Sequence, residues 1–365
     1  MAPPLLTGAL PGTGGTLKDE PDDFIVEEVP AYEPNGAGDH LWLWVEKRDV
    51  EASALLDRLA AALGVRHTEL GAAGRKDRRA VTRQWVSAPL ARGRAAPEAE
   101  AIDAGPGVRV LRVARHANKL RTGHLRGNRF IVRIRDVESG ADVALQRARA
   151  KLQLLEARGL PNGYGEQRFG GGAAQLAFGH AVLKGEARAP RDKRRARFLL
   201  SAVQGDLFNR YLAARMTRGL WGRALAGDVM KKEDTGGIFV CTDPAADQAR
   251  LDALAIHPTG PMYGEEMRAA EGEAAALEAE VLAGAGLGAE DLARVRRLAA
   301  GTRRPLRVLV REVAVRADER DGRADLVAAF FLPKGSYATV LLRELMHPSV
   351  LPAGGAGPAL YSSDP

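Results

Sequence analysis

The residues of this chain best suited to chemistry lie in Gly74-Arg75-Lys76-Asp77-Arg78-Arg79, where one carboxylate sits among four cations. Cations within a few ångströms favour the ionised carboxyl and lower an Asp pKa by roughly 1–3 units. The pattern predicts an Asp77 that stays anionic beside groups able to grip phosphate, which suits chemistry on a nucleic acid. Charge pattern alone also reads as a solvated turn. Val81 to Val86 then alternates like a strand, so the acid stands at the entrance to a sheet.

Other catalytic patterns are missing from the chain. The single Cys241 excludes an intrachain disulfide and a multi-cysteine metal site, and the seven histidines lack metal-ligand spacing. The glycines of 163–172 have neither the Gly-Lys-Ser/Thr ending of a P-loop nor a G-x-G-x-x-G spacing after a strand, so they read as a structural turn. Neither a Gly-x-Ser-x-Gly elbow nor a His-Glu-x-x-His motif occurs. The reading is of a metal-free protein.

The 365 residues allow about two domains, and 45% apolar with 27% charged side chains is a soluble globular balance. No secretory signal or membrane-length apolar run is legible, which points to a cytoplasmic chain without a membrane partner. The net charge of +7 is unevenly spread. Residues 1–50 hold 3 basic and 10 acidic side chains, 66–135 hold 17 and 5, and 184–223 hold 11 and 3. Two concentrated basic blocks are what tracking a phosphate backbone requires.

The elements that must position Asp77 follow from periodicity. Strands are expected at 24–29, 41–45, 108–113 and 130–134, and again at 307–314 and 325–332. Helices are expected at about 50–63 with Gly64 as the stop, 139–158 closed by Gly159 and Pro161, 196–218, and 265–282. Strand-rich ends around a helical middle predict one sheet domain with an insertion near 161–305. Residues 348–365, rich in Gly, Pro and Ser, read as frayed.

Together these segments resemble the TruD-type tRNA pseudouridine synthase family over nearly the whole chain. The resemblance begins at Lys18-Asp19-Glu20-Pro21-Asp22-Asp23-Phe24-Ile25-Val26-Glu27-Glu28 and passes through Gly74-Arg75-Lys76-Asp77 with Gln84-Trp85. It continues in Asn118-Lys119-Leu120-Arg121-Thr122-Gly123-His124-Leu125-Arg126-Gly127-Asn128-Arg129-Phe130, Pro161-Asn162 and Gln167-Arg168-Phe169-Gly170. Leu207-Phe208-Asn209, Gly227-Asp228-Val229, Thr259-Gly260-Pro261-Met262 and Leu332-Pro333-Lys334-Gly335-Ser336-Tyr337 complete it.

The resemblance implies an α+β fold. Residues 1–160 plus 306–365 would build a mixed, largely antiparallel pseudouridine synthase sheet, with 161–305 as an inserted α/β domain. It implies isomerisation of uridine to pseudouridine at position 13 of tRNA, without cofactor or metal, by a monomer that flips the target base into the cleft between domains. Asp77 would be the catalytic carboxylate, by attack on the sugar, addition to the base or removal of a proton. Lys76 would fix that carboxylate or a phosphate. Phe24, a core strand residue by pattern alone, matches the family's substrate-contacting aromatic. Asn128 would read a base edge or else cap a Gly127-Asn128 turn. Tyr337, where the family usually has Phe, would stack on a base. Gly163 stands where the family tends to have an aromatic. A non-catalytic RNA-binding module leaves Asp77 without a role, and an RNA methyltransferase lacks its glycine-rich strand-to-helix turn.

Overall fold

The computed structural model describes residues 2–90, 95–169, 172–320 and 322–346; the segment expected to fray, 348–365, lies outside them. Residues 16–135 supply strands β1 (Thr16–Leu17), β2 (Phe24–Pro30), β3 (His40–Arg48), β4 (Gly71–Ala72), β5 (Val81–Pro89), β6 (Val108–His116) and β7 (Leu125–Arg135), with helix α1 (Ala52–Leu63) between β3 and β4. Gly64 caps α1 at φ +67°, a conformation glycine adopts without a Cβ clash. Helix α2 (Ala141–Arg158) and strand β8 (Leu160–Pro161) follow.

A second region then follows along the chain as α3 (Gly172–Lys184), α4 (Lys193–Thr217), β9 (Val229–Lys232), β10 (Ile238–Val240), α5 (Pro244–Asp252), β11 (Ile256–Met262), α6 (Gly272–Gly284), α7 (Ala289–Arg294) and β12 (Thr302–Pro305). Its sheet runs β10-β9-β11-β12. The chain returns through β13 (Arg307–Val308), which pairs with β8, and adds β14 (Arg311–Arg320), β15 (Arg323–Pro333) and α8 (Ala338–Met346).

The described residues form a nine-stranded sheet ordered β14-β15-β7-β2-β5-β3-β6, with β1 beside β7 and β4 beside β5. Its pairs are antiparallel except β2 with β5, so the fold is α+β with a mixed, largely antiparallel sheet. Strands alternate their side chains between two faces. Phe24 and Val26 of β2, Phe130 and Val132 of β7, and Ala328 and Phe330 of β15 turn one way and are covered by Ala144, Ala148, Leu152 and Leu155 of α2 and Leu341, Leu342 and Leu345 of α8. At the other end of the same face, Leu43, Val45 and Val86 are covered by Leu55 and Leu59 of α1. Two apolar clusters therefore share one inner face.

The chain ends are stapled together. The buried Lys151 ammonium of α2 donates to the Thr7 carbonyl (3.2 Å), the Thr7 hydroxyl (3.0 Å) and the Glu344 carbonyl of α8 (2.8 Å). The Glu344 carboxylate in turn accepts from the backbone N–H groups of Leu6 and Thr7, each at 2.9 Å. Burial holds the Lys151 amine below its ordinary pKa.

Three sequence expectations need adjusting. The strand expected over 307–314 is two: Arg307–Val308 pairs with β8, whereas Arg311 onward pairs with β15. The helix expected from 265 begins at Gly272, because Glu266 N–H is drawn to the Ala300 carbonyl and Glu271 N–H to the Gly227 carbonyl. Gly127-Asn128 lies inside β7 and not in a turn. A Cβ at Gly127 would stand 2.1 Å from the Leu332 carbonyl oxygen, so close strand approach requires glycine there. Among the described residues, no helix is long and apolar enough to cross a membrane.

Candidate active site

Between the two apolar clusters the inner face turns polar. Lys47 of β3 lies opposite Thr82 of β5, which lies opposite Val26 of β2. In the next row Val45 lies opposite Gln84, and Glu28 opposite Asn128 opposite Leu332. Lys47, Thr82, Gln84 and Glu28 are buried. Three oxygens of these rows, Oγ1 of Thr82, Oε1 of Gln84 and Oδ1 of Asn128, are buried with no hydrogen-bond partner among the described residues. Unsatisfied buried acceptors are costly and rare, so they mark a place where a ligand or water is expected.

The loop from β4 to β5, which carries Asp77, is pinned over this strip. Gln84 Nε2 donates to the Gly74 carbonyl at 3.3 Å, and the Lys47 ammonium donates to the Asp77 carbonyl. The Lys76 ammonium is buried and pairs with the Glu28 carboxylate at 2.6 Å. Glu28 also accepts from Trp85 N–H at 3.4 Å. Three polar groups on the strands thus hold the loop at Gly74, Lys76 and Asp77.

The Asp77 carboxylate itself stays at the rim, its side chain 24% exposed. It pairs with the Lys18 ammonium at 2.8 Å, and that ammonium sits 4.0 Å from the centroid of the Phe24 ring. Lys18 brings Asp77 and Phe24 to one point. It does so from a left-handed backbone (φ +61°), a conformation seldom held by a residue with a Cβ and one that clusters at functional sites. Phe24 is also edge-on to Phe130 at 6.0 Å and only 2% exposed.

The cations adjacent in sequence face elsewhere. Arg78 reaches Asp49 at 3.7 Å, Arg79 donates to the Asp19 carbonyl at 2.7 Å, and Lys76 turns inward to Glu28. The cation that pairs with the acid, Lys18, comes from 59 residues upstream. Burial pushes the Lys47 amine down to about 8, against the pull of Asp77, Glu51 and Asp49.

Tyr337 lies at the junction of the two regions. Its ring lies 5.7 Å from that of Tyr164 and 5.9 Å from the Arg304 guanidinium. Arg304 donates to both oxygens of Asn162 and to the Gly335 carbonyl (2.9 Å), tying β12, the chain entry after β8 and the Tyr337 loop together. The space an aromatic at 163 would take is filled by Pro3, whose Cγ lies 3.1 Å from a Cβ built on Gly163. Thus Asp77 and Phe24 come together, Lys76 and Asn128 both stand at Glu28 in the adjoining row, and Tyr337 belongs to the junction cluster.

Lys18, Glu28, Lys47 and Gln84 received no site role from sequence, although Lys18, Glu28 and Gln84 lie in the segments that carry the resemblance. A signal exists for Glu28 and Lys47: each is a charge in the inward phase of an otherwise apolar strand, Phe24-x-Val26-x-Glu28 and Leu43-x-Val45-x-Lys47. For Lys18 the signal is its place at the head of the Lys18–Glu28 motif, and only the fold brings it to Asp77. No group of three or more His, Cys, Asp or Glu suited to a metal ion occurs among the described residues.

Known proteins match this chain over most of its length. A family model described as tRNA pseudouridine synthase D (TruD) matches residues 4–193 and 191–345. The tRNA pseudouridine synthase D of Anaeromyxobacter sp. (strain Fw109-5) is 51% identical over 348 residues, covering 94% of this chain and 95% of its own. That of Thermus thermophilus is 44% identical, covering 98% and 95%. A Methanosarcina mazei crystal structure described under the same name superposes with a TM-score of 0.77 at 24% identity, covering 94% of this chain and 96% of its own, a likeness of fold. This chain belongs to the TruD family of tRNA pseudouridine synthases.

Proposed function

We propose that this protein isomerises uridine to pseudouridine at position 13 of tRNA, with Asp77 as its catalytic carboxylate. The observation that carries this reading is the Lys18–Asp77 pair beside the Phe24 ring, on a loop held by Lys47, Gln84 and Glu28. The reaction breaks the bond from C1′ to N1, turns the base, forms the bond from C1′ to C5, and passes the C5 proton to solvent as N1 gains one. Product and substrate have the same composition, so the chemistry consumes no oxidant, reductant or group donor. It needs an anion at a fixed place, whether that anion meets C1′, the base or the C5 proton.

The target atoms of a stacked base are out of reach, so the reading includes flipping, which costs a few kcal/mol and is offset by phosphate contacts. Asn128 would face the everted uracil through its unpartnered Oδ1, an acceptor suited to the N3–H group. Phe24 would present its ring edge at the pocket floor, and Tyr337 would close the side nearest residues 161–305. In this division residues 1–160 plus 306–365 form the catalytic domain and 161–305 the inserted one, with tRNA between them. Lys76 acts through Glu28, by setting the loop, and not on a phosphate. The reading is of a cytoplasmic monomer that uses no cofactor or metal.

The test is Asp77→Asn. Carbodiimide primer extension on unmodified tRNA should map pseudouridine at position 13 with the native chain and none with the variant, while tRNA affinity stays within a few-fold. Pseudouridine formation by the Asn variant, or product at another position only, would overturn the assignment.

A further inference from the structure

A cavity of about 800 Å³ opens between the Asp77 loop and the first two helices of the 161–305 region. Its lining includes Arg75 on one side, Phe178 of α3 and Arg194, Arg195 and Phe198 of α4 on the other. Arg194 and Phe198 are one helical turn apart, as are Arg195 and Leu199, so both cations share the wall with the aromatic ring. Phe178 is 43% exposed, which is unusual for a ring that large. Asp192, an acid of the wall, caps its own helix, accepting from Arg195 N–H at 2.8 Å.

Stability alone does not account for this wall. The first turn of α4 carries Lys193, Arg194 and Arg195 and no acid, although cations are disfavoured at a helix N-terminus. Exposed cations beside an exposed ring are complementary to a nucleotide, which offers a phosphate for the guanidinium groups and a flat base for the ring. Arg75 is two residues from Asp77, a Cα separation of at most about 7 Å. The cavity therefore borders the loop that carries Asp77.

We propose that this cavity is a second nucleotide subsite, stacking one unpaired base of the tRNA on Phe178 and holding its phosphate among Arg75, Arg194 and Arg195. The inference rests on the reading that the chain acts on tRNA. It gives the inserted region a defined role, the capture of a flanking nucleotide so that the target is presented to Asp77. It accounts for the second basic block, 184–223, being placed beside the first.

The experiment uses the full chain and an unmodified tRNA transcript. Phe178→Ala should raise KM and the tRNA dissociation constant by about 5- to 100-fold. Its single-turnover rate at saturating tRNA and its salt slope should stay native, and Phe178→Trp should restore affinity. Arg194→Ala and Arg195→Ala should each weaken affinity and flatten the plot of log affinity against log salt, by up to the roughly 0.7 that one phosphate contributes. Native-like affinity in Phe178→Ala, with an active parent, overturns base stacking. Native-like affinity and slope in all three Ala variants assigns the cavity to some other ligand, a peptide included, and the proposal fails. If the native chain makes no pseudouridine yet the variants still lose tRNA affinity as described, the subsite stands and the proposed reaction falls.

Discussion

On the outer face of the sheet, Arg109, Glu46, Arg83, Glu27, Arg129 and Glu312 alternate in sign across six strands, whereas the strip between the two inner apolar clusters carries the charges of Lys47 and Glu28, with Lys76 reaching in from the loop. The outer row is linked at 2.9, 2.8, 3.4, 3.6 and 2.5 Å and is partly exposed, its side chains between 17% and 69%. Each of its pairs contributes about 0–1 kcal/mol and weakens with salt. The inner Lys76–Glu28 pair has side chains 5% and 0% exposed. There the surroundings cannot replace a lost partner, and removing one member costs about 3–5 kcal/mol. Similar residue types thus finish an exposed surface on one side and position a loop on the other.

The contrast can be broken most directly at Lys76. Lys76→Met should lower unfolding free energy by about 3–5 kcal/mol in urea titrations, and Glu28→Gln combined with it should recover part of that loss. A loss below about 1 kcal/mol would put the inner pair on a par with the outer row. Next in size, Lys18→Ala should reduce kcat on the order of 10²-fold by releasing the Asp77 carboxylate, with tRNA affinity within a few-fold. Unchanged turnover would make that pair a surface contact like those outside.

Lys47 sharpens the contrast through pH. Its folded value of about 8 lies below the ordinary 10.5, so between these the unfolded chain binds more protons and stability rises with pH. Below about pH 8 both states hold the proton and the contribution is flat. Unfolding of the native chain should therefore show an upward slope of at most about 1.4 kcal/mol per pH unit, absent in Lys47→Met. The smallest effect belongs outside: Glu46→Gln should cost less than about 1 kcal/mol, and less again at high salt.

Much of this arrangement was legible in the chain. The alternation of β2, β3, β7 and β15, the Gly64 stop and the span of α2 all follow from local periodicity. Asp77 stands out by its cationic setting, yet three of those four cations bind elsewhere. Neighbours in sequence on an extended loop diverge, and Arg78, Arg79 and Lys76 each found a different acceptor. Lys18 was illegible as a partner because 59 residues and a whole sheet edge intervene. The segment 265–271 has helical composition, but long-range bonds to Ala300 and Gly227 hold it open, and no window statistic sees those. The split at 307–314 arises because one run of residues serves two sheets.

The pairing of β7 with β15 sets a timetable for synthesis. Phe130 and Phe330, stacked at 5.4 Å in adjacent strands, are separated by 200 residues. At about 5–20 residues per second a ribosome needs roughly 10–40 s to deliver the second ring after the first. Throughout that interval β7 keeps one edge without its neighbour while everything from α2 to β14 emerges. The nascent chain must therefore remain unaggregated with this edge open, and the last strand to arrive is the one that completes the sheet.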